Sequence, residues 1–175
     1  MSGIYVLLGL AGAGLSAWLV GGNPWLRPGG LSAPLRELVA VLAGLLVGVA
    51  IALSSQLATK KLSWVRQLHR DLRPVTYGCT TGMLLWMALL SGVSEELVFR
   101  SWLGGWIGVV PQAVIFALLH QTPGKSRWVW LSWTLAVGLG FGWMFQVIGS
   151  LSSTVVAHVT VNALNLRFLR DYDPG

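Results

Sequence analysis

Charge is what this sequence has least of. Asp and Glu together number 6 in 175 residues, and all charged residues make up 10%. A soluble domain carries about a quarter. A water-facing surface cannot be built from so few charges, so lipid is the expected solvent over most of it. Hydrophobic residues are 54% of the chain and mean hydropathy is +0.68. Cysteine is nearly absent: Cys79 stands alone, which excludes an internal disulfide, and its apolar surroundings read as packing. No basic residue precedes the opening apolar run, Ile4 to Val20, so it lacks the n-region of a signal peptide and reads as a retained membrane helix. Internal repeats and low-complexity tails are missing too. The glycines, 22 in all, read as sites of close helix packing rather than a phosphate-binding loop.

The charge that is present leans one way. Lys and Arg number 12, for a formal net charge of +6. In a soluble protein that excess would point to nucleic acid. Here the basic residues fall between apolar runs, where they set membrane topology and meet anionic headgroups, so no nucleic-acid partner is expected.

A membrane-spanning helix needs roughly 20 mostly apolar residues. On that measure the sequence predicts an all-α polytopic membrane protein of about six spans, a single domain over 1–175. The expected spans are 3–20, 34–58, 75–103, 108–121, 127–148 and 151–168. Residues 1–74 hold two helices and a basic loop, and 75–170 hold the part where the chemistry sits. The break after the first span falls at Gly21-Gly22-Asn23-Pro24 and Pro28-Gly29-Gly30, with Trp25 and Arg27 at the interface. Trp64, Trp128 and Trp130 also fall near expected boundaries, as an aromatic belt would. Six crossings place Lys60, Lys61, Arg66, Arg70, Arg73, Lys125, Arg127, Arg167 and Arg170 on one side, which predicts that both termini are cytoplasmic.

Charged and strongly polar residues inside such helices are costly, roughly 2.5–3.5 kcal/mol each on insertion scales, and so are functional candidates. Three places qualify. In Glu95-Glu96-Leu97-Val98-Phe99-Arg100, Glu96 and Arg100 are four apart and share a helix face, where they can pair. Glu95 is turned about 100° from Glu96, free to face a cavity. His120 closes Phe116-Ala117-Leu118-Leu119-His120 near the end of the fourth span. His158 and Asn162 are again four apart in the sixth span, and Asn165 continues their stripe. Counting 1.5 Å per residue from the expected ends puts Glu95, His120 and His158 near mid-depth, roughly 12–20 Å from the non-cytoplasmic face of a core about 30 Å thick.

These three segments, in this order, resemble the motifs of the CPBP family of intramembrane endopeptidases, the CAAX-protease and bacteriocin-processing proteins also called Abi. The family's EExxxR, FxxxH and HxxxN read here as Glu95-Glu96…Arg100, Phe116…His120 and His158…Asn162. The resemblance covers about residues 83–168 and makes helices three to six a catalytic core. Each motif is short; the three in order, each on an apolar helix, are specific. The compact chain is more similar to bacterial members, which implies a bacterial plasma membrane. The resemblance implies hydrolysis of a peptide bond at or in the membrane, in a membrane-associated protein or peptide of CAAX or leader-peptide type. It makes Glu95 the base that takes a proton from the attacking water. His120 would hold that water, His158 and Asn162 would stabilise the oxyanion, and Glu96 with Arg100 would keep the site in shape. No cofactor is implied. The same glutamate and two histidines could instead hold Zn²⁺ with an open water position, although the H-E-x-x-H pattern of common zinc proteases is absent. The rival class is a non-catalytic membrane scaffold or bacteriocin-immunity protein of the same fold. A transporter or channel would also carry intramembrane charge, but the small size and lack of a repeat argue against it.

Overall fold

The computed structural model describes residues 2–21, 23, 25–26, 32–122 and 124–175. Among them the protein is all-α without a strand, and one isolated antiparallel bridge joins Leu26 to Ser150. Helix α1, Ser2–Leu15, continues as a π-helical stretch over Ser16–Gly21. Then come α2 (Ala33–Lys61), α3 (Ser63–Leu72) and a 3-10 turn over Arg73–Thr76. Helix α4 (Thr81–Glu96) passes through a π-helical stretch, Leu97–Leu103, into the short α5 (Gly104–Ile107), so Thr81–Ile107 is one rod. Helices α6 (Val109–Leu119), α7 (Arg127–Ile148) and α8 (Leu151–Asp171) complete the fold. The expected break at Gly22, Pro24 and 27–31, with Arg27, lies outside the described residues, as does Pro123.

Among the described residues three helices are long and apolar enough to cross a bilayer: Ala33–Lys61, Thr81–Ile107 and Arg127–Ile148. They coincide with the second, third and fifth expected spans. Val109–Leu119 is apolar but has 11 residues, which reach about 16 Å, roughly half the hydrocarbon thickness. Local chemistry explains the boundaries. Helix α2 opens with proline in its first turn and closes on Lys60 and Lys61, whose charge suits the negative end of the helix dipole. Helix α4 opens where the Thr80 side chain accepts the Met83 N–H. The α7–α8 corner turns on Gly149, whose φ of +74° few other residues tolerate.

Packing runs opposite to that of a soluble protein. Helix α2 buries Ala40, Gly44, Gly48 and Ala52 and exposes Leu38, Leu42, Leu46, Leu53 and Leu57. Lipid does not penalise exposed leucine, so helices associate through faces where backbones can approach. A Cβ on Gly44 would stand 2.5 Å from the Ser153 carbonyl oxygen, and one on Gly48 2.8 Å from that of Ala157. From the other side Gly92 of α4 meets α8, where a Cβ would stand 2.7 Å from Val159 Cγ2. Helix α8 is thereby clamped between α2 and α4, which presents His158 toward the end of α4.

The basic loop expected between spans two and three is mostly helical. Lys60 and Lys61 still belong to α2, and 63–72 form α3. Its sequence is amphipathic: Leu68 and His69 are buried, and Gln67, Arg70 and Asp71 are exposed. The burial of a few apolar side chains, not helix propensity, decides the segment's state. Helix α4 also begins later than expected, at Thr81, because Pro74 sits in the 3-10 turn instead of opening the span.

Candidate active site

Glu95 and Glu96 occupy the last turn of α4, just before the backbone loosens into the π-helical stretch. Such widened turns recur at functional sites because they re-aim side chains without ending the helix. The two carboxylates part as the helical rotation requires. Glu96 is fully buried, with Arg100 Nη1 at 3.1 Å from its Oε1 and both side chains inaccessible. The contact is ionic rather than an aligned hydrogen bond, for Arg100 Nη1 makes none. The Arg100 guanidinium also lies 4.5 Å from the Phe116 ring centroid and 5.5 Å from that of Phe141. A buried charge of this kind needs both the ion pair and the ring faces.

Glu96 has a second partner that sequence spacing does not show. Its Oε1 lies 2.7 Å from His158 Nδ1. On the other histidine, Nδ1 of His120 lies 2.7 Å from the Phe116 carbonyl oxygen. A carbonyl or a carboxylate can only accept, so each Nδ1 is the donor and carries a proton. Neutral rings then present Nε2 as a lone pair. Both Nε2 atoms face one oxygen: Glu95 Oε2 is 3.5 Å from that of His120 and 3.7 Å from that of His158. Oε2 is buried and makes no hydrogen bond. Three acceptors facing one another call for a proton-bearing group between them, and water is the simplest. Among the described residues no group of three or more His, Cys, Asp and Glu is arranged to hold a metal ion.

Asn162, one turn beyond His158, donates through Nδ2 to Ser91 Oγ at 3.0 Å, and Ser91 in turn donates to the Met87 carbonyl at 2.8 Å. The structure therefore brings together Glu95, His120, His158 and Asn162 around one cavity, with Glu96 and Arg100 buried behind it. Sequence reading missed Ser91, although it stands four residues before Glu95 on the same helix face. It also missed the tie that carries the His120 loop. Asp71 of α3 accepts from Gln67 at 2.8 Å and from Ser126, four residues ahead of which stands Thr122. No spacing rule connects residues 71 and 126.

The cavity measures about 900 Å³ and is lined mainly by apolar side chains. It extends from Glu95 toward α3 and the C-terminal half of α8, the end that carries Lys60, Lys61, Arg66 and Arg70. Trp130, expected in an interfacial belt, instead lines the cavity, with its ring 6.3 Å from that of His120. Trp25 is half-buried and donates to Ser152 Oγ at 2.7 Å. Trp64 and Trp128 are exposed, as a belt requires.

Apolar helices of spanning length around a buried carboxylate and two imidazoles define a membrane-embedded helical protein with a candidate hydrolytic centre. Residues 78–164, just under half of the chain, match the family described as "Type II CAAX prenyl endopeptidase Rce1-like", which is consistent with the resemblance to the CPBP proteases. The segment holds Glu95, Glu96, Arg100, His120, His158 and Asn162. A curated relative, "Uncharacterized protein YpbD" of Bacillus subtilis (strain 168), is 30% identical over 81 residues, 46% of this chain. That alignment spans 42% of the length of YpbD. No solved structure matches.

Proposed function

We propose that the chain is an intramembrane endopeptidase in which Glu95 activates water. The observation that carries this reading is the convergence of two histidine Nε2 atoms on Glu95 Oε2 at the inner end of the cavity. A water there donates one proton toward Glu95 and is oriented by the His120 lone pair. Its oxygen adds to the scissile carbonyl as the proton passes to Glu95. Asn162 stabilises the oxyanion together with His158, whose Nε2 takes a proton from solvent when substrate binds and returns it on product release, while Glu96 holds the Nδ1–H of that ring. Collapse of the intermediate breaks the C–N bond, and the proton on Glu95 goes to the leaving amine. Glu96 and Arg100 fix His158 and take no part in the proton transfer.

The substrate is a membrane-associated protein or peptide of CAAX or leader-peptide type. It enters from the basic end, which the excess of Lys and Arg makes the cytoplasmic side of a bacterial plasma membrane. Six crossings, with both termini on that side, fit this entry. The mechanism is metal-free; Zn²⁺ on Glu95, His120 and His158 is the alternative. The test is cleavage of quenched peptide libraries by the detergent-purified chain, wild type against Glu95→Gln, His120→Ala and His158→Ala. Cleavage lost in all three supports the reading. If no preparation cleaves and the three variants keep cellular function, a scaffold or immunity role replaces it. Activity that a chelator abolishes and Zn²⁺ restores would overturn the metal-free mechanism.

A further inference from the structure

Asn165 is the polar residue of the stripe on α8 that the chemistry above does not use. It lines the cavity one turn nearer the basic end than Asn162. Its Oδ1 accepts from α2: Gln56 Nε2 donates at 3.3 Å, and Ser55 Oγ, which shares its one hydrogen with the Ala52 carbonyl at 2.8 Å, lies at 3.1 Å. This fixes the amide orientation and leaves the two Nδ2 hydrogens without a hydrogen bond among the described residues. Trp133, Val137 and Phe141 of α7 line the same cavity. Among the described residues the lining holds no Lys, Arg or Asp, and Glu95 is its one carboxylate. The cavity therefore suits an uncharged apolar chain, and its α8 wall offers a donor for a group that such a chain always carries, the backbone carbonyl.

We propose that Asn165, oriented by Ser55 and Gln56, holds a main-chain carbonyl of an extended, uncharged apolar peptide segment and so sets its register in the site. Seven residues of helix separate Asn165 from His158, roughly 10 Å of rise, or about three residues of extended chain at 3.3 Å each. Asn165 thus reads the backbone about three residues from the scissile bond, while side chains pack against the aromatic wall. Sequence tolerance follows, because every residue type presents the same carbonyl. Ser55 and Gln56 lie outside the segment 78–164 that matches the protease family, and Asn165 stands one residue past its end. The inference rests on the peptidase reading for the position of the scissile bond.

The test uses the full chain carrying Glu95→Gln, which leaves a bound peptide uncut. An uncharged apolar peptide with a dansyl group is titrated in detergent, and energy transfer from tryptophan reports binding. A thioamide, a weaker acceptor than an amide, is then walked along the peptide backbone. One position is expected to weaken binding roughly fivefold, the size of a single lost hydrogen bond. Adding Asn165→Leu should weaken the parent peptide by the same factor and flatten the thioamide profile. Asn165→Asp, which keeps the bonds from Ser55 and Gln56 but lacks the donors, should flatten it too. No binding of the parent peptide, a flat profile with Asn165 present, or an unchanged profile in both variants overturns the proposal. Binding with the expected profile but no cleavage by wild type sinks the peptidase reading instead, and cleavage with a flat profile sinks only the register device.

Discussion

The imidazole of His158 is tied through Nδ1 to Glu96 Oε1 at 2.7 Å, and the same oxygen faces Arg100 Nη1 at 3.1 Å. One carboxylate thus holds a ring of the site and neutralises a buried cation. Removing it leaves Arg100 unpaired in a low-dielectric interior, at a cost of about 3–5 kcal/mol. Glu96→Ala is expected to lower the thermal midpoint in detergent sharply, and Glu96→Ala with Arg100→Met is expected to recover part of the loss. Equal midpoints for the single and double variants would refute the pairing.

Glu95 should behave differently from its neighbour. Its Oε2 makes no hydrogen bond in the fold, so Glu95→Gln deletes no structural bond of that oxygen. The expected result is an unchanged or slightly raised midpoint with peptide cleavage lowered roughly 10²–10⁴-fold, the usual worth of a general base. Circular dichroism melts beside cleavage rates check the contrast.

The α2–α8 contact makes Gly48 intolerant of size. A Cβ there would stand 2.8 Å from the Ala157 carbonyl oxygen and from Thr160 Cβ. Gly48→Leu is expected to cost about 1–3 kcal/mol through overpacking and to move α8 with His158 on it. Gly14, whose Cβ would meet nothing within 4 Å, is the control: Gly14→Ala should leave both stability and cleavage unchanged.

His69 on α3 gives a pH dependence outside the spanning helices. Its Nε2 donates to the Tyr172 carbonyl at 3.0 Å, and burial pushes its pKa below the ordinary histidine value. The folded ring stays neutral where the unfolded ring is already protonated. Its contribution to stability is therefore present above about pH 6.5 and lost as pH falls through the lower folded value. Wild type should lose more stability between about pH 7.5 and pH 5.5 than His69→Phe, which keeps the ring contact with Phe168. Identical pH slopes in thermal melts would show that this imidazole is not the group responsible.

Orientation can be read from the single cysteine. In a Cys79→Ser background, Lys61→Cys at the exposed start of the basic end is expected to react with an impermeant maleimide only after the cells are opened. Labelling of intact cells would place that end, and the cavity mouth, outside.

Much of this site was legible because helical geometry is local. The 100° step between Glu95 and Glu96 and the four-residue spacing of Glu96 with Arg100 follow from 3.6 residues per turn, whatever the rest of the chain does. So does the common face of His158, Asn162 and Asn165. Low charge and long apolar runs likewise determined an all-α membrane protein, since a spanning segment must satisfy its own backbone.

What tertiary structure alone decided is which faces meet. The bond from His158 to Glu96, the approach of both Nε2 atoms to Glu95 Oε2, and the tie from Asp71 to Ser126 join residues 25 to 63 positions apart. The two that involve His158 depend on how closely Gly44, Gly48 and Gly92 let α2 and α4 pack against α8. The helical state of 63–72 was decided there too, because a short amphipathic segment folds when its apolar side is covered. Sequence named Glu95, His120 and His158 as three polar residues in apolar helices; packing turned them on one another, because small residues face inward and leucines face lipid.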